Sequence, residues 1–423
     1  MFAALAVSAT DGAFAGSATW KTSPSSGDWN TAANWTPSSV PNGPSDTATF
    51  SASNITGVSL SASTEVNEIV FNSGASAFTV TSDSSPGLSL NITGAGITNN
   101  SGIAQNFVIG GNNYGFITFS NSALAGTQTV FTKKSGQGGA ILFYLDSSAD
   151  HGAFINEGNG NSIDRILGGG DLQFSGTATA ANGTFTNRRA SASGQIGGTL
   201  LFRDHASGGH ATLTNQGGTV SGAGGGTIIF IEQSHASNAR LIMKGGTNGG
   251  AGGNLQFSGA ARGGKARLEL YGNGNLDLSI SPGEVLTALT IGSITGDGQV
   301  FLGRNSLIAG SNNRSTTFSG VMQDGGQRGG TGGHLTKIGT GTLTLTGANT
   351  YTGGTDVNSG TLLVNNTQGS GTGSFIVAVF ESATLGGVGK IASDVYVYGF
   401  LSPGKHGVNP LGALTIQGSL YLA

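Results

Sequence analysis

The chain has 423 residues, a formal net charge of −3 and only 9% charged side chains. No basic block stands in it, which argues against a nucleic-acid partner, and the absence of cysteine removes disulfides, thiol nucleophiles and cysteine-based metal sites together. Glycine supplies 77 residues without a three-residue period, which excludes collagen, and 36% apolar residues are enough to build a core rather than a disordered polyelectrolyte.

Met1–Ala15 are apolar and end in Ala13-Phe14-Ala15, a small-x-small cleavage pattern. They read as the remnant of a secretion signal, although a basic start is missing and Asp11 interrupts them; 1–19 are set aside as a leader or a disordered extension. No stretch approaches 18 apolar residues, so no membrane-spanning helix is expected. All three tryptophans, Trp20, Trp29 and Trp35, fall in 20–46 with four of the eight prolines. Large aromatics in a turn-rich segment suit a cap on the open end of a stacked repeat, which would otherwise template aggregation. An aromatic platform for sugar rings is the functional alternative.

From Thr47 short alternating runs appear, such as Thr47–Phe50, Glu68–Phe71 and Leu88–Ile92, separated by turn clusters. A regular unit then emerges. Ile141-Leu142-Phe143, Leu172-Gln173-Phe174, Leu200-Leu201-Phe202, Ile228-Ile229-Phe230 and Leu255-Gln256-Phe257 each open a copy, and the last four starts lie 28, 28 and 27 residues apart. Within a copy the apolar positions alternate with period two, which is strand logic. One copy cannot bury its apolar face, so copies must stack, about 4.8 Å apart. The spacing predicts an all-β parallel β-helix of about 15 coils. It also predicts a column of phenylalanines, and an amide ladder from Asn156, Asn187 and Asn215. Coils with this repeat run through 47–290, and coils of another phrase through 291–423.

That other phrase carries a family resemblance. Gly341–Asn366, GTLTLTGANTYTGGTDVNSGTLLVNN, resembles the autotransporter-associated β-strand repeat, with Gly333–Gly339 as its lead-in. Gly369–Gly373, Ala383–Gly387, Leu401–Gly404 and Gly412–Ile416 are similar to its continuation. The resemblance implies a secreted or surface-displayed right-handed β-helix, passenger-like, and offers no catalytic residues to carry over. Such proteins usually continue into a membrane β-barrel or a sorting anchor; neither is read before Ala423.

The coil register predicts which polar residues meet. Asp204 and Glu232 fall on adjacent coils about 5 Å apart, with His205, His210 and His235 nearby. Paired carboxylates at that separation serve retaining glycosidases, and carboxylates with histidine can hold a metal. The pair does not recur where the same position is Gly176 or Gly259, so a solvated turn is the competing account. Calcium turns would need tandem glycine–aspartate motifs, and Gly168–Asp171 and Gly296–Gly298 stand alone. Arg240 and Arg267 share a position, with Lys265 near, and read as a basic strip on a solvated face. Leu142, Tyr144, Leu201, Ile229 and Ile231 should point outward, and apolar residues there form a patch that needs covering, by a segment of the chain or by another copy.

The expected protein is therefore an exported, non-enzymatic scaffold without cofactor or metal. It acts in adhesion or self-assembles into a surface layer or fibre, with a cell-surface or glycan ligand or a second copy as partner. A carbohydrate-binding or carbohydrate-active β-helix is the alternative.

Overall fold

The computed structural model describes residues 16–82, 87–110, 115–136, 138–158, 172–279, 287–404 and 412–423. Among them there is no α-helix, only the three-residue 3-10 turn Ala32–Asn34. The strands form a parallel β-solenoid of about 14 turns. Of the leader expected over 1–19, residues 1–15 lie outside the described residues, as do Gly168–Asp171, whereas Ala18 and Thr19 belong to the strand Ala18–Trp20, paired with Ala48 and Thr49.

Two faces run most of the length. The first is a 14-stranded sheet ending at Val321–Gln323; the second is a 15-stranded sheet from Gly57–Ser59 to Phe400–Pro403. A third face of seven strands starts at Ala288–Ile291 and takes over as the first one ends. Register is strict in the centre. Phe143, Phe174, Phe202, Phe230 and Phe257 are successive partners on the first face, with ring centroids 4.5–4.9 Å apart and planes within 9°. That distance is the strand spacing itself, so each ring rests on the ring one coil away. A second column, Phe107, Phe131, Phe154 and Phe185, stacks likewise on the second face. The two columns meet edge to face at 5.6–5.7 Å, as in Phe143 with Phe154 and Phe174 with Phe185.

The amide ladder forms beside them. Asn156 Nδ2 donates to Asn187 Oδ1 at 3.2 Å and Asn187 Nδ2 to Asn215 Oδ1 at 2.8 Å. Each second N–H is spent on a backbone carbonyl, of Thr199, Thr227 and Asn254 respectively. Buried amides survive here because every donor finds an acceptor. Lys133, fully buried, precedes Asn156 in the same register. Its place follows from the alternation Thr129-Val-Phe-Thr-Lys133, which puts it on the inward face with Phe131.

The cap closes the N-terminal end. Trp35–Thr36 pairs antiparallel to Ala18–Trp20, with Trp20 opposite Trp35, and forms the outer edge of the first face. Trp20, Trp29 and Trp35 are at most 1% exposed. They contact one another edge to face at 5.0–5.2 Å and continue onto Phe50. Their indole N–H groups donate to the carbonyls of Ile55, Pro41 and Trp29. Rings so enclosed cannot stack on a sugar, which rules out the aromatic platform.

Candidate functional site

Each central coil has a residue in the left-handed conformation just past the first-face strand. In successive coils it is Leu145, Gly176, Asp204, Glu232 and Gly259, with φ between 55° and 70°. This row contains the acid pair expected from the sequence. The carboxylates do not converge. Asp204 Oδ2 accepts the backbone N–H of Gly176 at 2.9 Å, and Glu232 Oε2 accepts that of Asp204 at 2.7 Å. Each acid thus reaches back one coil and caps a turn, and Arg203 also pairs with Glu232 at 3.1 Å. A carboxylate committed to the coil beneath it is a poor nucleophile or general acid, so the glycosidase-like geometry is corrected to a pair of turn caps. Asp297, in the isolated Gly296–Gly298 turn, does the same for the N–H of Gly272.

Of the histidines, His205 and His235 stay neighbours, and His210 lies outside the depression that they line. His205 and His210 are exposed, whereas His235 is half-buried and its Nδ1 lies 2.7 Å from Ser237 Oγ. Burial, then the charge of Arg262 and the nearness of His205, lower the His235 pKa, which favours its neutral form at neutral pH. His205, His235, Arg262 and Lys265 share one shallow depression. Among the described residues no three His, Cys, Asp or Glu side chains gather as metal ligands.

The outward column on the first face mixes apolar residues with glutamine, as Leu142, Gln173, Leu201, Ile229 and Gln256, and Tyr144 and Ile231 follow just past the strands. Leu201 is 5% exposed, and Leu142, Tyr144, Ile229 and Ile231 are half-buried. The open patch expected there is therefore narrower than the sequence implied. Strongly exposed apolar side chains lie instead on the C-terminal coils, namely Phe375, Phe380, Tyr398, Phe400 and Tyr421, the last stacked on the half-buried Tyr396.

A polar network on the second face is not visible from sequence spacing alone. Arg240 and Arg267 are in register, as expected for a basic strip, but Glu269 lies one coil on and diagonal to Arg240. Arg240 Nε and an Arg240 terminal nitrogen each bond a Glu269 carboxylate oxygen at 2.7 Å, and the Tyr271 hydroxyl donates to it at 3.2 Å. Glu269 is 4% exposed. Burial alone would raise its pKa, but the bidentate Arg240, helped by Tyr271 and Arg267, outweighs it and holds the carboxyl below its ordinary range. The available signal was the register: Glu269 pairs with Ile242, two residues beyond Arg240. Next to this network, Arg267 and Arg314 border a recess of about 510 Å³ with a hydroxyl-rich floor that includes Thr295, Thr317, Thr342 and Thr344.

Comparisons agree with the resemblance seen in the C-terminal phrase. Residues 335–364 match the passenger-associated-transport-repeat family. A segment of 111 residues is 34% identical to the adhesin BmaC autotransporter of Brucella suis biovar 1 (strain 1330); it covers 26% of this chain and 3% of that relative. No solved structure matches the chain. No helix of the described residues is long and apolar enough to cross a membrane.

Proposed function

We propose that this chain, an autotransporter-passenger-like repeat protein, acts outside the cell or on its outer surface as a non-enzymatic, adhesin-like rod. The observation that carries this reading is the place of the transport-associated repeat. Residues 335–364 supply strands to the same second face that runs through the central coils. Each coil pairs only with its neighbours, so such a rod extends without changing its cross-section and displays side chains along its faces. The acids that would serve an enzyme are occupied as turn caps, which favours binding over turnover. Beads coated with the purified chain should attach to host cells or extracellular matrix more than beads coated with an unrelated β-solenoid. Equal attachment overturns the reading.

Lateral self-association is the finer part of the proposal. It is supported by the half-exposed Tyr144, Ile229 and Ile231 beside the exposed Leu145. Replacing Ile229 and Ile231 by lysine should then lower the particle mass in light scattering with the circular dichroism unchanged; an unchanged mass removes the wall as an interface.

A further inference from the structure

The second face opens at one point. Between Ser293–Gly296 and Thr316–Phe318 only Gly296 and Phe318 remain in register, whereas the next pair of strands shares three positions and the preceding pair four. Thr295 Oγ1 bridges part of the gap by donating to the Thr317 carbonyl at 2.9 Å. The recess bordered by Arg267 and Arg314 lies over this break. Its charge is unbalanced. Glu269 is the acid among its lining residues, and Arg240 and Tyr271 already make three hydrogen bonds to that carboxylate. Arg267 adds a looser ion pair to it at 3.7 Å, which leaves two guanidinium groups around one carboxylate, and Arg314 forms no ion pair among the described residues. One unpaired guanidinium, of Arg314, and one loosely paired and 43% exposed, of Arg267, therefore stand beside a row of threonine hydroxyls.

From this we infer that the recess binds an anionic carbohydrate, with Arg267 and Arg314 taking the carboxylate or sulfate groups and Thr295, Thr317, Thr342 and Thr344 taking ring hydroxyls. The planar guanidinium fork matches both oxyanions, and a threonine hydroxyl can donate to or accept from a sugar hydroxyl. The recess has the size of a small-ligand site. No aromatic side chain lines it, so it offers nothing on which a nucleobase could stack. This inference names a ligand class for the adhesin-like reading and rests on it for its biological setting.

The test is calorimetry of the whole chain with three oligosaccharide probes: a heparin octasaccharide (sulfated), an oligogalacturonate (carboxylated) and a neutral maltooligosaccharide. Binding of at least one anionic probe and not of the neutral one is expected, and the two anionic arms show which oxyanion is preferred. Arg267→Gln with Arg314→Gln should weaken that binding roughly a hundredfold, about tenfold for each guanidinium removed, while Arg328→Gln, outside the recess, leaves it unchanged. Failure of both anionic probes, equal binding of the neutral one, indifference to the double substitution, or displacement by equimolar inorganic sulfate would each overturn the assignment. Cell attachment separates the two readings. Attachment that survives the double substitution leaves an adhesin without this site; oligosaccharide binding without attachment leaves the site and removes the adhesin.

Discussion

Lys337 shows how one side chain can be fitted into a glycine-rich core at a cost that pH reveals. It is 1% exposed, and its ammonium donates to the carbonyls of Ile338, Gly339 and Ser359 at 2.8, 3.0 and 3.1 Å. Those carbonyls favour the charged form, but burial is the larger influence and pulls the pKa from 10.5 down to about 8. Below pH 8 both folded and unfolded chains carry the proton, so the folded state bears the full penalty of a buried charge. Between about 8 and 10.5 the folded chain releases the proton while the unfolded chain keeps it, so stability rises with pH. A shift of that size amounts to about 3 kcal/mol across the window. Other lysines and tyrosines titrate there too, so the quantity to measure is the difference in stability between the wild type and Lys337→Met. It should move in favour of the wild type from pH 8 to 10.5. A difference that stays flat would mean that the three carbonyls hold the ammonium unperturbed. Nothing in the residue type announced this role; the period-two alternation through His334-Leu-Thr-Lys337 did place the side chain inward.

At the scale of elements, what could be read from the sequence was whatever depends on register. Phenylalanine and asparagine recur at fixed positions in copies of equal length, so their columns follow once the strands are stacked, and both exist. The tryptophan cap was legible because three large rings crowd into one short, proline-rich window. What was not legible depends on how the turns bend. The sequence separates a regular middle from a C-terminal phrase. It does not say that a third face starts at Ala288 and that the first stops at Gln323, because strands of both faces carry the same alternating pattern. The acid pair failed for a related reason. Asp204 and Glu232 share a column with Gly176 and Gly259, and a column that mixes glycine with acids marks a left-handed turn position before it marks a reactive site. Arg240 and Glu269 were missed because a diagonal neighbour matters as much as a ladder partner once side chains are long.

Over the whole molecule, the core is a line of nearest-neighbour contacts. The buried apolar residues form one continuous cluster from Ala18 to Val397, yet a given ring touches mainly the coil below, the coil above and the opposite face. Phe202 is fully buried between Phe174 at 4.9 Å and Phe230 at 4.6 Å. Phe202→Ala removes both stacking partners of one layer and should cost about 3–5 kcal/mol locally. In a globular domain such a cost would lower the protection of every core amide together. In a solenoid the stability is a sum of coil and interface terms, so the damage is confined to neighbouring coils. Hydrogen exchange should therefore quicken in the strands at 172–174, 199–202 and 227–230. Strands near the cap, such as Thr64–Phe71, and those of the transport-associated repeat, such as Thr342–Leu345, should exchange as in the wild type. A uniform rise along the chain would mean that the rod unfolds as one unit. The two ends would then be energetically joined, and a ligand bound near Arg314 could stabilise the distant cap; local unfolding would instead let each face be altered without disturbing the rest.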